Sequence, residues 1–224
     1  MAWRQWVRTV EIEPSIYAAD FTRLGEQIQS LLDAGVRVFH FDVGDGHFIP
    51  PVTIGPIVLR SIAPMIHRMD GRIDCHLMVD DPPHHFEEIA ASGGDSVTFH
   101  VEAVDDVGSV LAQARDHGLG AGVAFNPGTG VEVGAEAANL GADLCLCMSI
   151  NPGYSGQKLL AESYERIERL RGLVDCLVQV DGGVNEENIG RVRKAGADLI
   201  IVGNGIFSHE DLPRAYRRLV QALA

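Results

Sequence analysis

Histidine and aspartate alternate with apolar residues at the ends of three hydrophobic runs: His40-Phe41-Asp42, Asp74-Cys75-His76 and Val180-Asp181-Gly182-Gly183. Imidazole nitrogens and carboxylate oxygens bind divalent ions of intermediate softness, and carboxylates also carry protons to and from carbon. Residues two apart on a strand share a face, so His40 and Asp42 point one way and Phe39, Phe41 and Val43 the other. The polar pair is expected to face the interior of a barrel. Two imidazoles and two carboxylates meeting there would form an N₂O₂ set suited to zinc, iron(II), manganese or cobalt. Any one of these residues alone reads more simply as a hydrogen-bonded core group. Packed together without an ion, four ionisable groups would meet a large desolvation cost.

Glycine supplies the second chemical signal. Gly182-Gly183, Gly203-Asn204-Gly205 and the run Asn151-Pro152-Gly153-Tyr154-Ser155-Gly156-Gln157 all follow apolar runs late in the chain. Glycine lets backbone N–H groups approach an anion closely, and loops after the last strands of a barrel commonly hold phosphate this way. The alternative is ordinary tight-turn glycine.

The elements that must position these groups recur regularly. Eight apolar runs, 11–17, 38–43, 72–79, 96–102, 120–126, 143–150, 176–182 and 199–206, are each followed by Gly, Pro, Asn or Asp and then by a segment of helical period. Amphipathic helices are expected at 22–34, 83–91, 107–117, 161–173, 185–195 and 212–223, several stopping at glycine, as at Gly35, Gly141 and Gly196. Eight βα units in 224 residues predict a single-domain TIM (β/α)₈ barrel spanning 1–224, a fold of typically about 250 residues. A doubly wound sheet would need a G-x-G-x-x-G turn after its first strand, and none is there. Residues 1–10 form an N-terminal extension whose Trp3 and Trp6 are expected to cap the barrel or meet a neighbouring subunit.

With 46% hydrophobic and 22% charged residues, the composition fits one globular domain. The net charge of −13 argues against a nucleic-acid partner, since phosphate backbones are bound by clustered Lys and Arg. No stretch approaches the roughly 20 apolar residues of a membrane span, and no signal segment is visible, so a cytoplasmic protein is the expectation. Cys75, Cys145, Cys147 and Cys176 lie in apolar runs and read as buried thiols, with no second Cys/His pair to complete a zinc motif.

Seven ordered segments resemble the ribulose-phosphate 3-epimerase family: Pro14-Ser15-Ile16, HFDVGDGHFIP from His40, DCHLMV from Asp74, HVEA from His100, FNPGT from Phe125, MSINPGYSGQ from Met148 and VDGGVN from Val180. The resemblance covers nearly the whole chain. It implies that His40, Asp42, His76 and Asp181 bind one divalent metal and that Asp42 and Asp181 are the acid/base pair. It places Ser15, Met78 and Met148 against the substrate. Phosphate would be held around Gly153, Ser155, Gly156, Gly182, Gly183, Gly203 and Asn204. A small phosphorylated sugar as substrate and a homo-oligomeric assembly are likewise implied, the activity being interconversion of ribulose 5-phosphate and xylulose 5-phosphate.

Some positions depart from the family pattern. Gly44 stands where the family has a pocket methionine, Pro51 where it has asparagine, Ser155 where it has glycine and Asn204 where serine is common. Losing the methionine opens volume for a larger ketose phosphate such as allulose 6-phosphate, or for a side chain from elsewhere. Glu13, by alternation with Ser15, should face the interior where the family has a small residue, and so needs a partner or a proton. Related barrels that decarboxylate sugar or nucleotide phosphates use a lysine among strand-end acids, and the sequence shows none beside Asp42 or Asp181. A barrel kept only for ligand binding would have damaged metal or acid/base positions, whereas all four are present.

Overall fold

The computed structural model describes residues 9–153 and 156–223 together with Trp3 and Val7. Eight parallel strands, β1 (Glu11–Pro14), β2 (Val38–Gly44), β3 (Arg72–Met78), β4 (Ser96–His100), β5 (Gly120–Phe125), β6 (Leu144–Met148), β7 (Leu177–Asp181) and β8 (Leu199–Val202), form one sheet. Each pairs with its sequence neighbour, β1 pairs with β8, and a parallel bridge between Ser15 and His40 joins β1 to β2. This is the expected TIM barrel.

The outer layer consists of α1 (Leu24–Asp33), α2 (Pro56–Arg68), α3 (Phe86–Ala91), α4 (Val107–Asp116), α5 (Val131–Asn139), α6 (Ser163–Leu173), α7 (Ile189–Lys194), α8 (Asn204–Phe207) and α9 (Leu212–Ala222). Local chemistry sets their limits. The carboxylates of Asp106 and Asp211 accept backbone N–H bonds from Ser109 and Arg214, capping α4 and α9. Gly35, Gly141 and Gly196, left-handed, follow the ends of α1, α5 and α7 as the sequence predicts. Most of the expected strands run shorter. β1 gives way after Pro14 to a 3₁₀ turn at Ile16–Ala18, and β8 gives way at Gly203 to α8.

Outward residues such as Phe39, Phe41, Val97, Phe99, Val123 and Phe125 pack against the helices in one continuous core. The inward residues form a different cluster. Trp3 packs with Val38, Leu144 and Leu199, the starts of three strands, and closes the N-terminal end of the barrel. Trp3 therefore caps the barrel, while Trp6 lies outside the described residues. All four cysteines are buried thiols, as expected.

Candidate active site

His40 and Asp42 come from β2, His76 from β3 and Asp181 from the end of β7. One ligand-type atom of each lies within 4.8 Å of the corresponding atoms of the other three. Nε2 of His40 stands 3.3 Å, and Nδ1 of His76 3.5 Å, from Oδ1 of Asp42. Both imidazoles are fully buried, and neither His40 Nε2 nor His76 Nδ1 has a hydrogen-bond partner. Two buried nitrogens without partners aimed at two carboxylates fit a divalent cation of the zinc, iron(II), manganese or cobalt type.

Each strand-end acid is braced from a neighbouring element. The Ser15 hydroxyl donates to Oδ2 of Asp42 at 2.6 Å, and Thr53 donates to the Asp42 carbonyl at 2.7 Å. The Ser149 hydroxyl faces the carbonyls of Asp181 and Gly182 at 2.7 and 2.6 Å, fixing the turn after β7. Thr53 and Ser149 carry no signal in the sequence, because each acts on a backbone carbonyl many residues away.

The two acids differ in proton affinity. Burial raises Asp42, but the adjoining imidazoles of His40 and His76 outweigh it and hold its carboxyl well below the ordinary range. Burial and the nearby negative charge of Asp42 together push Asp181 up to about 7. Asp181 therefore takes up a proton far more readily than Asp42, the asymmetry that paired acid/base work uses.

Beneath the site lies a second polar layer. Nδ1 of His40 is 3.5 Å from Asp74 Oδ2 and 3.8 Å from Glu13 Oε2. Gln179 donates from Nε2 to both carboxylates, at 2.7 Å to Glu13 and 3.0 Å to Asp74, while Ser96 and Thr98 donate to the other oxygen of Asp74. Glu13 thus faces the interior as its alternation predicts, and Gln179 and Asp74 are its neighbours. Burial first, and then the charge of Asp74, raise the Glu13 carboxyl to about 8.

Above the four groups opens a cavity of about 520 Å³. Ser15, Asp42, Met78, Met148 and Asp181 line its inner end, and Gly153, Gly156, Gly182, Gly183, Gly203 and Asn204 line its loops. Sequence reasoning named all of these. Ser155 lies outside the described residues. Lys158, which the sequence did not mark, is the one cationic side chain among the described residues lining the cavity. The glycines allow close loop packing. A Cβ on Gly183 (φ +68°) would lie 2.2 Å from the backbone N of Leu159, and one on Gly156 (φ +86°) would lie 3.0 Å from Asn204 Nδ2.

The space at Gly44 is filled from within. A Cβ there would lie 2.6 Å from Cδ1 of Ile49, which is buried. Neither residue lines the cavity, so the missing methionine has been answered by a side chain from the following loop. Pro51 belongs to the same loop and lies beside Gly153.

The family model for the ribulose-phosphate 3-epimerase family matches residues 11–207. The chain belongs to this family. It is 38% identical over 213 residues to the ribulose-phosphate 3-epimerase of Aquifex aeolicus, covering 93% of this chain and 94% of that one. Its identity to the Escherichia coli K12 enzyme of the same name is 37%, covering 95% and 96% of the two chains. Among solved structures, 3-hexulose-6-phosphate synthase superposes with a TM-score of 0.71 at 20% identity, covering 96% of this chain and all of that one. KGPDC from Streptococcus mutans superposes with a TM-score of 0.73 at 12% identity, covering 96% and 98%. These two share the barrel fold.

Proposed function

We propose that this epimerase inverts carbon 3 of a ketose phosphate, interconverting D-ribulose 5-phosphate and D-xylulose 5-phosphate. The observation that carries the reading is that Asp42 and Asp181 line one cavity and bring a carboxylate oxygen each to within 4.8 Å of one another and of a nitrogen of His40 and His76. Carbon 3 of a 2-ketose adjoins the carbonyl, so removing its proton yields a flat enediolate. One aspartate accepts that proton, and the other delivers a proton to the opposite face, so configuration inverts.

His40, Asp42, His76 and Asp181 would hold the divalent metal. When bound, the cation supplies positive charge beside the negative charge that develops on the substrate oxygens. Ser15 orients Asp42 through its hydroxyl. Met78 and Met148 present apolar, non-acidic surface that excludes water and competing proton donors from the flat intermediate. Gly153, Gly156, Gly182, Gly183, Gly203 and Asn204 bind the phosphate through the loops, with Ser155 assigned by its place in the same run. Lys158 offers the phosphate a positive charge in a chain that is acidic overall.

Assaying metal-loaded protein on ribulose 5-phosphate tests this. Asp42→Asn and Asp181→Asn are each expected to reduce the rate by about 10²–10⁴-fold. A wild-type rate no faster than that of Asp181→Asn would discard the proposal. A six-carbon ketose phosphate gains nothing from Gly44, since Ile49 occupies the space beside it. In a substrate panel the pentulose should react fastest.

A further inference from the structure

The HVEA and FNPGT segments meet behind His76. Nε2 of His76 lies 2.9 Å from Nε2 of His100, and their rings stack with centroids 5.0 Å apart. Nδ1 of His100 lies 3.3 Å from Oε2 of Glu102. The other oxygen of Glu102 accepts from the Asn126 N–H at 2.8 Å and from the Thr129 hydroxyl. A chain thus runs from the inner end of the cavity, through two buried imidazoles, to a partly exposed carboxylate pinned by the loop after β5.

We propose that Glu102, acting through His100, fixes the tautomer of His76 that leaves its Nδ1 lone pair facing Asp42. The inference rests on His76 being a metal ligand. The direction of every bond follows from the two ends of the chain taken together. An ionised carboxylate only accepts, so Nδ1 of His100 must carry a proton. A neutral His100 then presents a bare Nε2, which can only accept, so Nε2 of His76 donates to it. His76, also neutral, has no proton left for Nδ1. The ligand premise gives the same order from the other end: a His76 that ligates through Nδ1 carries its proton on Nε2 and donates it, so His100 accepts at Nε2 and keeps its own proton on Nδ1 for Glu102. On the opposite side, Nδ1 of His40 lies 3.5 Å from Asp74, so each candidate histidine has its own carboxylate behind it.

Glu102→Gln reverses the logic without changing shape. Asn126 N–H and the Thr129 hydroxyl both require an acceptor, so the amide oxygen stays with them and the NH₂ group faces His100. Nδ1 of His100 must then accept, its Nε2 donates, and His76 is left protonated at Nδ1, where the lone pair was needed.

The test uses ¹⁵N-histidine NMR of the metal-free protein, together with cobalt or zinc affinity measured by chelator competition. Wild-type His76 should be protonated at Nε2 and His100 at Nδ1. In Glu102→Gln both tautomers should reverse, and affinity should fall about 10–100-fold. Thr129→Val, which loosens the loop but keeps the carboxylate, should stay within about twofold of wild type, separating proton direction from loop support. Wild-type His76 protonated at Nδ1 would overturn the proposal. So would unchanged affinity in Glu102→Gln alongside a loss in His76→Gln. Unchanged affinity in His76→Gln itself would instead remove the ligand assignment, and the inference with it.

Discussion

Glu13 has no exposed surface, lies 3.8 Å from His40 and shares Gln179 with Asp74. Its proton affinity rises from 4.5 to about 8, so folding takes up a proton at this site over that interval. Folded protein binds more protons here than unfolded chain, and stability therefore falls as pH rises from about 4.5 towards 8. Chemical denaturation of metal-free protein should show that decline. Glu13→Gln should flatten it and be more stable at pH 8 by about 1–3 kcal/mol, the cost of an unsatisfied buried polar group. A variant whose pH slope matches wild type would place the titration elsewhere. His40, Asp42, His76, Asp181 and inward-facing Glu13 were all legible, because strand alternation turns residue spacing into a shared face. Gln179, Ser149 and Glu102 were not, because their roles depend on partners from other strands and loops that no local pattern encodes.

The loops show how a substitution in one element is answered by another. Ile49 fills the space beside Gly44, so Ile49→Ala should cost about 2–5 kcal/mol in denaturant unfolding. Gly44→Ala alone should also destabilise, since its Cβ meets Ile49. The double variant should cost less than the sum of the two, a coupling that two independent positions would not show. The turn after β7 is less forgiving. Gly183→Ala drives a Cβ against the Leu159 backbone at a left-handed position, and should lower kcat/KM at least tenfold, chiefly through KM, if this loop holds phosphate. The order of strands and most helices was readable from periodicity, as was the stop of three helices at glycine, whereas α2 and α8 were not among the expected helices. Strand ends were read too long at β1 and β8, because the apolar residues beyond them belong to a 3₁₀ turn and to α8.

Across the whole barrel, side-chain chemistry changes with depth, from Trp3, Val38, Leu144 and Leu199 at the closed end, through the Glu13, Asp74 and Gln179 layer, to the strand-end acids. Such an interior is legible from sequence only as alternation, since a layer is built from strands far apart in the chain. These packed layers leave the cavity mouth as the way in and out of the interior. His40 and His76 are fully buried beneath the cavity that Asp42 and Asp181 line, so anything seated in that cavity stands across the way out for an ion held below it. Saturating sugar phosphate should therefore slow stripping of the metal by a chelator, an effect read directly from the release rate. Trp3→Ala should leave that protection intact, since Val38, Leu144, Leu199 and the Glu13, Asp74 and Gln179 layer still fill the barrel between Trp3 and the strand-end groups.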